Sequence, residues 1–341
     1  MATPPAGRLA LLVSLLAAVV VACGGGGGQR SDADLRGVRL GAVIKGLDNP
    51  FFVSMRDGLV ATARRVDARL HVAAASAGLQ DTAGQASDLE SIAARHPACY
   101  VVNPLTQTNL IQALADVPRK TPIINVDSRI GRAAADAVGV KITAYVGTDN
   151  RAGGRLGADA MAKLVEPGAR VAVVTGIPGD VGSGQRTEGF DQGTRGRFKV
   201  VTKIAADFDR GKARRAVADL LRADPHIAGI FAVNDLMALG VADAVQAAGR
   251  GRDVKVIGFD GISQALTAVR RGRMAATVAQ YPYTMGQLAI EGCLAAIRGR
   301  SVPARVDAPV QVVTRENVAR AQANFPRPVR PFHDPLAASA R

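Results

Sequence analysis

From residue 38 onward short apolar runs alternate with amphipathic segments, and this alternation constrains the fold more than composition does. The runs fall at 38–44, 70–75, 99–102, 123–126, 144–146, 171–175, 200–205, 229–233, 254–259, 276–279 and 306–313, each of strand length. Segments at helical spacing lie between them, including 51–66, 82–94, 152–164, 211–221, 236–248 and 284–298. Apolar strands separated by helices form parallel sheets covered on both faces. Ten or more strands exceed what one such sheet usually holds, so the pattern predicts an α/β chain of two doubly wound lobes. The first break falls at Gly147-Thr148-Asp149-Asn150, where Asp149 or Asn150 is placed to cap a new helix.

Before that alternation begins, Arg8 precedes an apolar run, 9–22, too short to span a membrane comfortably and of signal-peptide length. It ends Val20-Val21-Ala22-Cys23, followed by five glycines, 24–28. The pattern resembles a bacterial lipoprotein signal, with 1–22 removed, Cys23 lipidated and 23–35 a flexible tether. Ordinary secretion with cleavage near Ala22 is the alternative. In either case the mature chain works outside the cytoplasm, as a periplasmic or extracytoplasmic protein. That compartment permits a disulfide between Cys99 and Cys293, although two buried free thiols are the plainer expectation. The net charge of +14 comes with arginines spread over helix faces, as in Arg64-Arg65 and Arg214-Arg215, and with no nucleic-acid-binding module. We therefore expect solvated faces and no nucleic acid. The last stretch, 322–341, is rich in proline (Pro326, Pro328, Pro331, Pro335), without periodicity, and reads as a disordered tail.

The ends of the apolar runs carry the chemistry. After 38–44 come Lys45 and the turn Asn49-Pro50-Phe51-Phe52, where proline suits the first turn of a helix that opens on two aromatic rings. Those rings are either the core of a buried turn or one wall of a ligand site. Asp127 and Ser128 follow the run 123–126. A glycine-rich loop after 171–175 leads to Arg186. Asp207-Phe208-Asp209 follows 200–205, Asn234-Asp235 follows 229–233, Asp260-Gly261 follows 254–259, and Gln280 ends the next run. In open α/β sheets ligands bind at these carboxyl ends. A sugar calls for such a set: its hydroxyls both donate and accept, matching carboxylate, amide and guanidinium groups, while its C–H faces pack on aromatic rings.

Several of these stretches resemble the ribose- and allose-binding proteins of sugar ABC transporters. The likeness is carried by Asn49-Pro50-Phe51-Phe52, Ala206-Asp207-Phe208-Asp209-Arg210, Asn234-Asp235-Leu236-Met237-Ala238-Leu239-Gly240, Gly258-Phe259-Asp260-Gly261 and Ala275-Ala276-Thr277-Val278-Ala279-Gln280, in that order. It covers residues 36–320. The resemblance implies that Phe51, Phe52 and Phe208 sandwich a sugar ring. It implies that Asn49, Asp127, Arg186, Asn234, Asp260 and Gln280 bond its hydroxyls, with Lys45 nearby as in allose-type proteins. Ribose binders carry arginine directly after the aspartate, where this chain has Ser128 and then Arg129. The loop that follows is also of allose-binder length. The expected ligand is therefore a hexose or a polyol before ribose. The resemblance further implies a cleft between lobes 36–148 plus 281–309 and 149–280 plus 310–321, a hinge of three crossings, a permease partner, a lipid anchor in the membrane and a monomer.

Catalysis is not expected, and neither a metal nor a cofactor is. The four histidines lack metal-ligand spacing, 179–184 lacks a phosphate-loop lysine, and Gly182-Ser183-Gly184 is no nucleophile elbow. A lactose-repressor-type regulator would share the fold but needs a DNA-binding segment where this chain has a signal pattern. A sensor docking a chemoreceptor or sensor kinase is the other alternative.

Overall fold

The computed structural model describes residues 1–3, 35–76 and 78–337. The chain divides after Asp32, and the elements described belong to the second unit, 33–341. Cys23, the apolar run 9–22 and the glycines 24–28 lie outside the described residues. The second unit begins with β1 (Arg39–Ile44), α1 (Pro50–Arg65), β2 (Arg69–Ala74), α2 (Thr82–Ala93), β3 (Tyr100–Val102), α3 (Ile111–Ala115), β4 (Ile123–Val126), α4 (Arg132–Ala137) and β5 (Ala144–Gly147). It continues with α5 (Asn150–Ala162), β6 (Arg170–Thr175), α6 (Val181–Thr194), β7 (Lys199–Ala205), α7 (Arg210–Ala223), β8 (Ile227–Ala232), α8 (Asp235–Ala247), β9 (Lys255–Asp260), α9 (Ser263–Arg270) and β10 (Ala276–Gln280). It closes with α10 (Pro282–Ile297), β11 (Arg305–Asp307), β12 (Val310–Thr314) and α11 (Val318–Asn324).

Two six-stranded sheets result, ordered β2-β1-β3-β4-β5-β11 and β7-β6-β8-β9-β10-β12. Every pairing is parallel except β10 with β12. In each sheet the first strand lies between the second and third, so each lobe has its switch point beside β1 or β6, where ligands of such sheets bind. The chain passes between sheets three times, at 147–150, 280–282 and 307–310. The apolar run 306–313, expected as one strand, is therefore two strands in different sheets. Pro309 lies between them, and its missing N–H makes a ladder break cheap there.

Helix starts at the strand ends are set by short polar caps. The side chains of Asn49, Asp81, Asp149, Asp180, Asp209 and Asn234 each accept from a backbone N–H of the helix that follows. The sequence left Asp149 and Asn150 as alternatives; Asp149 is the cap. Cys99 and Cys293, both fully buried, are joined in a disulfide with Cα atoms 5.7 Å apart. The plainer expectation of two free thiols is thereby corrected. The bridge ties α10, which follows the second crossing, to the first sheet beside β3.

The expected disordered tail is a second correction. Beyond α11, Val329 and Leu336 are buried. The Tyr281 hydroxyl accepts from Val329 N at 3.3 Å and donates to Gln311 Oε1 at 3.0 Å, and Gln311 Oε1 also accepts from Arg330 N at 3.1 Å. Further on, Gln287 Nε2 on α10 donates to Asp334 Oδ2 at 3.3 Å. The segment thus runs from α11, which packs on α9 and β12, back to α10 on the first lobe. Prolines suppress periodicity without preventing burial, which is why the sequence hid this.

Glu291 on α10 faces the same contact. It accepts from Arg65 of α1 at 2.8 Å and from Gln287 at 3.1 Å, with Asp334 beside it. Burial first and Asp334 second push its carboxyl up to about 7. A carboxyl whose pKa is raised on folding contributes stability that is complete below its unfolded value and is lost as pH rises through the folded one. The tail contact should therefore loosen from about pH 5 to about pH 8. Hydrogen exchange of residues 329–336, corrected for intrinsic rates, should show greater protection at the lower pH, and Glu291→Gln should remove the difference. Equal protection at both would refute this account.

Candidate functional site

The carboxyl ends of the two sheets face a common cleft with a volume of about 510 Å³. On the first lobe Asn49 uses its Oδ1 to cap α1, accepting from Phe51 N at 3.0 Å, which leaves its amide NH₂ for the cleft. Phe51 and Phe52 meet edge to face, with ring centroids 5.2 Å apart and planes at 82°. Lys45 Nζ stands 5.8 Å from the Phe52 ring centre. Asp127 ends the β4 turn with φ +60°, an uncommon backbone for a residue with a side chain. Ser128 Oγ donates to its Oδ2 at 3.3 Å. Burial raises the Asp127 carboxyl, and the charges of Lys45 and Arg186 oppose that shift.

On the second lobe the glycine-rich loop expected to reach Arg186 stops at Asp180; the helix α6 starts at Val181, and Arg186 lies within it. Glycine's low helix propensity disguised it. Two of the glycines have a packing cause. A Cβ at Gly189 would strike the Arg151 backbone of α5, and one at Gly154 of α5 would strike the Arg186 backbone. The two helices therefore cross with their backbones nearly in contact. That approach delivers the buried Arg186 guanidinium to three acceptors: Asn150 Oδ1 at 2.8 Å, Val233 O at 2.8 Å and Asp260 Oδ1 at 3.4 Å. Its carbon also sits 4.2 Å from the Phe259 ring centre.

Asp260 is pushed up to about 6 by burial, against the lowering effects of Arg186 and of a 2.8 Å hydrogen bond from Gln280 Nε2. The neighbouring turn is pinned by Asp235, whose carboxylate accepts from Gly261 N at 2.7 Å, Ile262 N at 3.0 Å and Thr277 Oγ1 at 2.8 Å. Burial, then the Asp260 charge, hold Asp235 well above the ordinary carboxylate range. Asn234 caps α8 through Oδ1, accepting from Met237 N at 2.9 Å, so its amide NH₂ is likewise left for the cleft. Phe208 adopts φ +60°, which brings its ring against Gly176, where no Cβ would fit.

Of the residues singled out in the sequence, Lys45, Asn49, Phe51, Phe52, Asp127, Ser128, Arg186, Phe208, Asn234 and Asp260 line this cleft together. Gln280 does not. It borders a second cavity of about 550 Å³ that shares Phe51 and Asp260 with the first, and it meets the cleft through its bond to Asp260. Sequence reasoning missed Tyr145, Asn150 and Asp180, which also line the cleft. Tyr145 looked like a strand residue, Asn150 like a cap, and only the helical reading of 181–194 would have placed Asp180.

The family model described as the periplasmic binding protein domain matches residues 40–301. The ribose import binding protein of Bacillus subtilis is 32% identical over 278 residues, covering 81% of this chain and 87% of that one. The D-allose-binding periplasmic protein of Escherichia coli is 34% identical over 248 residues, covering 72% and 79%. A solved solute-binding protein of an ABC transporter from Actinobacillus succinogenes, with bound D-allose, superposes with a TM-score of 0.77. It is 32% identical and covers 83% of this chain and 99% of that one.

Because Asn150 is the partner of a buried guanidinium N–H, Asn150→Ala should lower unfolding stability by about 1–3 kcal/mol. Urea unfolding of the two proteins measures it, and an unchanged midpoint would mean that Arg186 Nε has no need of Asn150.

Proposed function

The chain belongs to the periplasmic binding protein family, and from that premise we propose that it captures a hexose or a polyol outside the cytoplasm. It holds the ligand unreacted between its lobes and delivers it to an ABC permease. The observation that carries this reading is that ten residues, from the strand ends of both sheets and the helices that follow them, meet on one cleft. Three of them are aromatic, and the others carry amide, carboxylate, hydroxyl, ammonium or guanidinium groups. That is the complement of a monosaccharide, with apolar faces and a rim of hydroxyls.

In this reading Phe51, Phe52 and Phe208 cover the faces of the ring. Asn49 and Asn234 donate through their free amide NH₂ groups, Asp127 and Asp260 accept, and Lys45, Ser128 and Arg186 complete the rim. Gln280 acts through Asp260. Closure follows from differential affinity: a closed form touches the ligand from both lobes and an open form from one. The protein works as a monomer, held at the membrane by a lipid on Cys23.

A thermal-shift screen against pentoses, hexoses and polyols tests the assignment, because a ligand selective for the folded state raises the melting temperature. A hexose or polyol should give the largest shift; a shift from ribose alone would overturn the preference. Arg186→Ala and Asp260→Ala should each weaken binding at least about tenfold, since each strands a buried polar partner. Wild-type affinity in both would remove this cleft from the reading. The ionised Asp260 is the better acceptor, so affinity should fall as pH drops through about 6. Titration calorimetry across that range should show the fall in the wild type.

A further inference from the structure

Arg129 also lines the cleft, and among the described residues it has no hydrogen bond or ion pair. It is nevertheless fixed in place. Its guanidinium carbon lies 3.6 Å from the centre of the Tyr145 ring. Tyr145 is itself locked, its hydroxyl donating to Asp127 O at 2.6 Å. The loop that carries Arg129 is held from below by Asn125. That side chain donates to Ser128 O at 2.7 Å and to Val102 O at 3.0 Å, and accepts from Ile130 N at 3.0 Å.

A guanidinium stacked on an aromatic face keeps its N–H groups in its own plane and free for other acceptors. Here the ring contact restricts the guanidinium before any ligand arrives, so less ordering cost remains when its donors bond. The other cleft guanidinium is partly committed: Arg186 gives its Nε and Nη1 donors to Asn150, Val233 and Asp260, which leaves Nη2 for a ligand. Ser128, between Asp127 and Arg129, is short enough to leave the approach to Arg129 open.

We infer that Arg129 is a specificity-determining residue: its stacked guanidinium donates to the exocyclic C6 hydroxyl of a hexose, an oxygen that a pentose lacks. Tyr145 is its positioning residue. This inference rests on the carbohydrate reading of the cleft and adds the group that separates one sugar class from another. A site that offers a fixed donor to one hydroxyl discriminates against the analogue without it, because the donor is then left unpaired.

The test is calorimetric titration of the full-length protein with D-allose, D-galactose, their 6-deoxy counterparts and D-ribose, in wild type, Arg129→Ala and Arg129→Lys. The wild type should prefer the accepted hexose over its 6-deoxy counterpart by at least tenfold. Arg129→Ala should collapse that gap to less than twofold, with the affinity for the 6-deoxy sugar unchanged or raised because no donor is then left unpaired, and Arg129→Lys should restore part of it. Thermal melts of the free variants check folding. Equal losses for both sugars would mark Arg129 as merely structural, and an unchanged gap would place the C6 hydroxyl elsewhere; either overturns the inference. A folded wild type that binds none of the five sinks this inference, while the carbohydrate reading is decided separately by the wider thermal-shift screen. Binding with an unmoved gap sinks the inference alone.

Discussion

Arg186 is the charge around which the second lobe is arranged. A buried guanidinium that loses its carboxylate partner costs about 3–5 kcal/mol, a large share of a domain's net stability. Its partners come from three places: Asn150 at the start of α5, the backbone just beyond β8, and Asp260 at the end of β9. The lobe has to bring those three ends together to hold the charge. Asp260 passes the constraint on through Gln280, the last residue of β10, which leads into the second crossing. The wall of the cleft and one strand of the hinge are therefore joined by hydrogen bonds, and a change in what Asp260 accepts is felt where the lobes are connected.

The acids near this centre show why it is tuned rather than merely neutral. Asp127 and Asp260 are both raised by burial, and both are opposed by Arg186. Asp235 lies deeper, is raised further, and sees the charge of Asp260. Its acceptor sites are occupied by two backbone N–H groups and a threonine hydroxyl, so it holds the turn rather than facing the cleft. Asp260 is left as the acid whose protonation is balanced near neutrality, between burial on one side and a guanidinium and an amide on the other. A ligand hydroxyl that donates to it adds to the second group and favours the charged form.

Much of this was legible in the sequence because polar and aromatic side chains recur at the strand ends. The strand alternation gave two lobes, and the polar and aromatic residues at the strand ends gave the cleft. Where the reading failed, a local signal had been suppressed for a tertiary reason. In α6 four residues are glycine, and at Gly189 the cause is backbone contact with α5, which no local pattern reports. The run 306–313 reads as one strand because both of its halves pair, but in different sheets. Tail residues such as Val329 and Leu336 are single apolar positions between prolines, without a period to betray their burial. The Cys99–Cys293 bridge depends on α10 returning to the first sheet, a long-range fact.

The same features divide what can move from what cannot. Within the first lobe the disulfide fixes α10 to the sheet, so displacement at the second crossing is carried by the lobe as a whole. Between the lobes the covalent links are three short connections, which permit rotation. The tail adds a non-covalent link alongside them. It bonds Tyr281, one residue past Gln280, and Gln311, within the strand that follows the third crossing, and ends against Gln287 and Glu291 on α10. Rotation about the crossings has to carry this segment along or release it. Its grip on Glu291 weakens when that carboxyl ionises, so the strength of this link depends on a proton held outside the cleft.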